Sequence, residues 1–209
     1  MEIWLIRHGT TKANLEGRLQ GQQEFPLDDQ GIYEVAQLAE HLKKTPLHAI
    51  LSSPLSRAKE TAKAIQQVRE KEQVEFLVLN LLKEYSWGYL EGFTWEELRQ
   101  THPEFYQRLK HDFWGTSVPG REGKKVFINR IKKTLRYILS RYRYSQRIVV
   151  VSHGRFINAF ITHALELDMY ARWPFSPLPA AISVLKVSPS KERLKLHSFN
   201  DRCYLQRKS

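Results

Sequence analysis

The chain has 209 residues, 42% hydrophobic and 26% charged, which fits one globular domain with a sizeable core and excludes a disordered or low-complexity scaffold. Its 33 Lys and Arg against 22 Asp and Glu give a formal net charge of +11, pointing to anionic partners without choosing between nucleic acid and small phosphorylated molecules. The single cysteine, Cys203, excludes an internal disulfide and a thiolate metal site, and no apolar run approaches the roughly 18 to 20 residues of a membrane span.

The start, MEIWLIRHG, has no basic region ahead of its short apolar segment, so no secretion signal is expected and a cytoplasmic location is the plain reading. In chain order, strand-like apolar runs are predicted at residues 3–6, 49–51, 75–79, 148–151 and 182–187. Helical periodicity separates them near 31–43, 57–68, 125–142 and 156–164. This alternation predicts a three-layer α/β/α fold with a mostly parallel central sheet, forming one domain over 1–209. Residues 94–123, aromatic, charged and punctuated by Pro103, Gly115, Pro119 and Gly120, are read as a helical insertion covering the carboxyl end of the strands.

Much of the basic charge falls on 126–144. There Phe127, Ile131, Leu135, Ile138, Leu139 and Tyr142 recur at helical spacing, which puts Arg130, Lys132, Lys133, Arg136 and Arg143 mostly on a solvated face. RYRYSQR at 141–147 is a weak nucleic-acid signal with no accompanying motif, so nucleic acid is not the expected partner.

Three predicted strands end in residues that carry chemistry: Arg7-His8-Gly9, Ser152-His153-Gly154, and Ser52-Ser53-Pro54 leading to a helix that opens near Arg57. In open α/β sheets ligands bind beyond the carboxyl ends of the strands, among loops and helix N-termini, so these groups can converge. Singly, each has a plainer reading. His41, His48, His102, His111, His163 and His197 are ordinary hydrogen-bonding groups by default; Arg57 can pair locally, Asn14 can stabilise a turn, and Glu84 in LLKEYSWG can be surface charge. Two apolar runs that both end in His-Gly, beside an arginine, argue jointly for a site.

The ordered motifs LIRHGTTKAN, GQQEFPLDDQG, ILSSPLSRAKETA, LLKEYSWGYLEG and VVVSHG resemble the histidine phosphatase superfamily along almost the whole chain. That superfamily includes cofactor-dependent phosphoglycerate mutases and many small phosphatases. The resemblance implies a phosphohistidine mechanism in which His8 is the nucleophile, Arg7, Asn14, Arg57 and His153 form the phosphate pocket, and Glu84 is the proton donor. Gln20 and Gly21 match the loop beside the pocket; Gly154 and Arg155 follow the second histidine, where a backbone N–H contributes to phosphate binding. A metal-independent phosphomonoester hydrolase, with no cofactor and broad specificity for small phosphorylated metabolites, is the expectation, as a monomer or homodimer. The chain is short after the proton-donor motif, where mutases carry a longer insertion. It looks more like the compact bacterial phosphatases, α-ribazole-phosphate phosphatases among them, with the mutase as the alternative.

Elementary chemistry supports these roles. Imidazole attacks only when neutral, and a cation about 4 Å away at an effective dielectric near 20 is worth roughly 4 kcal/mol against about 1.4 kcal/mol per pKa unit. Arg7 and Arg57 can therefore hold His8 neutral, and planar guanidinium forks suit two phosphate oxygens at once. A carboxyl group beside the leaving oxygen can give it a proton and later accept one from water. Gly9 is read as letting the chain turn closely around phosphate. Tyr85, Trp87, Tyr89, Trp95, Phe105 and Trp114 offer an aromatic wall for bulky phosphoesters, or simply packing.

Two departures from the family pattern stand out: VPGREGKKV leaves a substrate contact by Glu122 open, and FNDRCYL has Tyr204 where relatives have histidine. Two other classes compete. His8, His153 and Glu84 form a ligand set suited to zinc, with Arg7 and Arg57 counting against it. A silent protein holding nucleic acid or a partner through its net charge is the other.

Overall fold

The computed structural model describes residues 1–69, 73–142, 146–168, 173–188 and 193–205. In chain order these form β1 (Glu2–Arg7), α1 (Lys12–Leu15), α2 (Asp29–Leu42), β2 (Ala49–Ser52), α3 (Ser56–Gln67), β3 (Glu75–Val78), α4 (Trp95–Thr101), α5 (Pro103–His111), α6 (Lys124–Arg141), β4 (Arg147–Ser152), α7 (Gly154–Ala164), β5 (Ile182–Val187) and β6 (Leu194–Asp201). Short 3-10 turns at Asn80–Leu82 and Gly88–Leu90 flank the Glu84 segment.

The strand period of 2 sorts the core into two layers. Ile3, Leu5, Leu51, Ile148 and Val150 point to the face covered by α6 and α7 through Phe127, Ile131, Ile138, Phe156 and Phe160. Ile6, Ile50, Val149 and Val151 point the other way, against Leu38 and Leu42 of α2 and Ala58, Ala62 and Ile65 of α3. Covered on both faces, the central strands read as continuous apolar runs such as Ile148-Val149-Val150-Val151, without polar alternation. The six-stranded sheet runs β3-β2-β4-β1-β5-β6, parallel from β3 to β1 and antiparallel at β5 and β6. This is the expected three-layer α/β/α fold with a mostly parallel sheet.

The last strand, β6, was not predicted. It is an edge strand whose residues are never fully buried, and Lys195, His197 and Asn200 interrupt its apolar positions, so its pattern is weak. The first part of 94–123 is helical as expected, with Thr94 and Glu97 forming a capping box that opens α4 and Pro103 opening α5, while 112–123 is turns and irregular chain leading to α6. Leu98 and Leu109 join the same core as Tyr85 and Phe127. On α6, Lys132, Lys133 and Arg136 are exposed as expected. Arg130 departs from that reading, as described below. Arg143 and Tyr144, and with them the middle of RYRYSQR, lie outside the described residues.

Candidate active site at the carboxyl edge of the sheet

Strand register brings the two histidines together. In the parallel β1–β4 pair Arg7 stands opposite Ser152, and the His8 N–H donates to the Ser152 carbonyl at 3.0 Å. His8 and His153 therefore leave the sheet side by side, their ring centroids 5.2 Å apart. β2 delivers a third element: the Ser53 N–H donates to Val151 O at 3.0 Å, and Ser53 Oγ lies 2.8 Å from His153 Nε2.

His8 is buried, with Nδ1 2.7 Å from the carbonyl oxygen of Gly9. A carbonyl can only accept, so Nδ1 carries the proton in neutral His8 and the lone pair is on Nε2. Burial, then the charges of Arg57 and Arg7, hold the imidazole well below its ordinary pKa, against the opposing pull of the Gly9 carbonyl. His153 is lowered in the same sense, first by burial, then by Arg57, His8 and Arg7.

The role expected of Gly9 is corrected. A Cβ there would come within 2.7 Å of Val35 Cγ2 and 2.8 Å of the Gly31 carbonyl oxygen. At Gly31 a Cβ would stand 1.9 Å from Thr10 O, so both glycines serve the close approach of α2 to the loop after β1. Thr61 Oγ1 of α3 accepts from the Gly9 N–H at 3.2 Å and fixes the same loop from the other side.

Four arginines, Arg7, Arg18, Arg57 and Arg155, line the cavity around His8, which has a volume of about 270 Å³. Arg7 donates from Nη1 to Pro177 O at 2.8 Å. Arg57 donates to Gly21 O and Gln23 O, both at 2.8 Å, and Arg18 and Arg155 complete the basic lining. Among the described residues Arg7 and Arg57 make no ion pair, and the Nε of each is buried without a hydrogen-bond partner, as is Nδ1 of His153. Burial brings Arg57 down to about 10 and lowers Arg7, with nearby Glu84 opposing in both cases.

Asn14 also lines the cavity; its Oδ1 accepts from the N–H and Oγ1 of Thr11 in the capping box of α1, which leaves its amide NH2 for a ligand. Gln20 and Gly21 line it as expected, with Gln20 Oε1 buried and unpartnered. Gly21 has φ +52 and no room for a Cβ, because the Glu91 carboxylate lies 2.1 Å from that position. Glu91 Oε1 accepts from Gln22 N, Trp87 N and Ser86 Oγ, tying this loop to the Glu84 segment.

Glu84 meets the start of α7. Its Oε1 accepts from the N–H groups of Tyr85 at 2.8 Å and Phe156 at 3.0 Å, and Oε2 from Arg155 N at 3.1 Å. The carboxylate thus occupies donors at a helix N-terminus, a favourable place for negative charge. Arg130 holds the segment from behind, donating to the carbonyls of Leu81, Lys83 and Glu84 and pairing with Glu122 through two contacts. Their side chains are only 13% and 10% exposed. Arg130 is therefore no part of a solvated face, and Glu122 is occupied by Arg130 and does not line the cavity.

Pocket composition changes two further expectations. Of the aromatic wall only Trp87 lines the cavity; Tyr85 is fully buried beneath it, Tyr89 is 53% exposed, and Trp95, Phe105 and Trp114 pack against the core. No residue of 94–123 lines the cavity. Phe175, Ser176 and Pro177 do, and no residue-type signal marked them, because Pro177 acts on Arg7 through a backbone carbonyl. His153 is fully buried and touches His8 without lining the open space. Among the described residues no group of three His, Cys, Asp or Glu is arranged to hold a metal ion, and Glu84 spends both oxygens on backbone donors, so the zinc reading has no geometric basis.

Comparison with known proteins places this architecture. The chain matches the histidine phosphatase superfamily (branch 1) over residues 3–201, and it belongs to that family. It is 31% identical over 176 residues to the adenosylcobalamin/alpha-ribazole phosphatase of Escherichia coli, covering 84% of each chain. It is also 28% identical over 205 residues to phosphoserine phosphatase 1 of Hydrogenobacter thermophilus, covering 98% of this chain and 94% of that one. The crystal structure of the alpha-ribazole phosphatase from Shigella flexneri superimposes with a TM-score of 0.85 at 28% identity over 97% of both chains. The family, the fold and the phosphatase class expected from the motifs are borne out. Among the described residues no helix is long and apolar enough to cross a membrane.

Proposed function

We propose that the chain hydrolyses phosphomonoesters of small metabolites through a phosphohistidine on His8, without a metal. The observation that carries this reading is the Nδ1–Gly9 O bond, which leaves the Nε2 lone pair of a buried, neutral imidazole beside Arg7 and Arg57, which have no carboxylate partner among the described residues.

Arg7, Arg57, the Asn14 amide and the Gly154 N–H then take the phosphoryl oxygens, with Gln20 and Gly21 at the edge and His153 supporting the His8 ring from the buried side. In the first step Nε2 bonds to phosphorus as the ester P–O bond breaks; the negative charge of the bound phosphate disposes Glu84 to its protonated form, and Glu84 gives that proton to the departing oxygen. In the second, water attacks the phosphohistidine while the Glu84 carboxylate takes its proton, the P–N bond breaks, and phosphate leaves with His8 neutral again. The fixed guanidinium groups stabilise charge as it spreads over the transferring group.

The test is phosphate release by the full chain from a panel of phosphomonoesters with a chelator present, repeated with Glu84→Gln. Release unaffected by chelator is expected. The substitution should lower turnover of alkyl phosphates by about 10²-fold or more while sparing p-nitrophenyl phosphate, whose leaving group hardly needs a proton. Isomerisation of phosphoglycerate in the presence of bisphosphoglycerate, with no release from any ester, would replace this reading with the mutase.

A further inference from the structure

One charge in the cavity is left over by the mechanism. Arg7 and Arg57 are oriented by backbone carbonyls, and Arg18 at the rim pairs with Glu97 at 2.9 Å. The Arg155 guanidinium makes no hydrogen bond or ion pair with any described residue. It is held by ring faces: its central carbon lies 4.8 Å from the Trp173 ring centroid and 5.7 Å from that of Trp87. Its backbone is fixed as well: Arg155 is the second residue of α7, and its N–H donates to Glu84 Oε2.

The aromatic faces restrain the guanidinium without using its N–H groups. A carboxylate partner would have quenched the charge, and solvent would have dispersed it. Here burial disfavours the charged form, with Glu84 opposing, and Arg155 in turn acts unfavourably on Arg7. Two cations in one small cavity repel each other, so an arrangement that keeps both is suited to a ligand that brings negative charge to each.

We propose that Arg155, braced by Trp87 and Trp173, is a specificity-determining residue that binds a second oxyanion of the substrate, beyond the phosphate that His8 attacks. The preferred substrates are then small phosphomonoesters that carry a carboxylate or a further phosphate a few bonds from the ester. This rests on the phosphatase reading for which group is attacked. It differs from that reading in predicting discrimination between esters that share the same reacting phosphate.

Matched ligands test it: 3-phosphoglycerate against glycerol 3-phosphate, and phosphoserine against phosphoethanolamine, each pair differing by one carboxylate. Fructose 1,6-bisphosphate against fructose 6-phosphate supplies the second-phosphate arm. Binding is measured by calorimetry on the full chain carrying His8→Ala, and kcat/KM on the unmodified protein. The member with the extra oxyanion is expected to be favoured by at least about tenfold, equivalent to about 1.4 kcal/mol. Arg155→Met should collapse that ratio through KM and Arg155→Lys should restore part of it. The arm with the larger ratio identifies carboxylate or phosphate as the natural group. Equal binding within every pair, or a ratio that survives Arg155→Met in a folded protein, overturns this inference and leaves the phosphatase reading standing. Failure of all six ligands to bind would overturn both.

Discussion

The two edges of the same sheet treat charge in opposite ways. At the amino edge Arg147 pairs with Glu2 at 2.8 Å and Arg141 pairs with Glu75, with side chains that are all partly exposed. At the carboxyl edge Arg7 and Arg57 reach into the interior with carbonyl partners and no carboxylate, and Arg155 has only aromatic faces. Exposed ion pairs contribute about 0–1 kcal/mol, whereas an ion removed from water costs several kcal/mol unless it is compensated. The first edge is built for the folded state alone. The second carries a charge imbalance that, in the proposed function, a phosphate dianion relieves, and more fully as charge spreads in the transition state.

Arg57→Met tests this contrast most severely. It removes a fully buried cation, and kcat/KM for any phosphomonoester should fall by roughly 10² to 10³, the usual loss for one preorganised oxyanion donor. The measurement is steady-state kinetics with thermal unfolding of the same sample. A loss of activity that merely tracks a loss of folded protein would break the comparison.

The pH dependence gives a smaller, graded effect. Burial, Arg57 and Arg7 depress the folded-state pKa of His8 well below that of an unfolded histidine, about 6.5. With the substrate's own titration divided out, kcat/KM should stay level as pH falls through 6.5 and decline only further down. Arg57→Met should move that decline upward. The stability sign is also fixed: below about 6.5 the unfolded chain takes up protons that native His8 and His153 refuse, so it binds more protons than the native state. Their contribution is complete above about 6.5 and is lost as pH falls below it, which denaturant titrations at several pH values will show.

The smallest effect belongs to the amino edge. Arg147→Met should cost no more than about 1 kcal/mol of stability, read from denaturant unfolding, and leave kcat/KM unchanged. A tenfold loss of activity there would mean that the two edges are not independent.

Much of this arrangement was legible because it depends on residue types at strand ends. His-Gly after two apolar runs, with Arg57 opening the helix after a third, fixed which groups converge, and the parallel register does the rest. The parts that could not be read are set by tertiary contacts. Gly9 answers to Val35 and Gly31 of α2, and Arg130, which shares a basic helix with exposed cations, is held by the carbonyls around Glu84. The outer wall of the cavity is set by tertiary contacts in the same way. Aromatic residues in 94–123 satisfied the core, while Phe175, Ser176 and Pro177, with no distinguishing chemistry, reached the site.

The most direct test of the account is to mix the full chain with a phosphomonoester, quench within milliseconds in alkaline denaturant, where phosphohistidine survives, and map the phosphorylated peptide by mass spectrometry. The account predicts a phosphoryl group on His8 that appears before phosphate is released, decays as release proceeds, and is absent with His8→Ala. Full-rate phosphate release with no phosphoryl group on His8 at any time, or release that persists in folded His8→Ala, would contradict it.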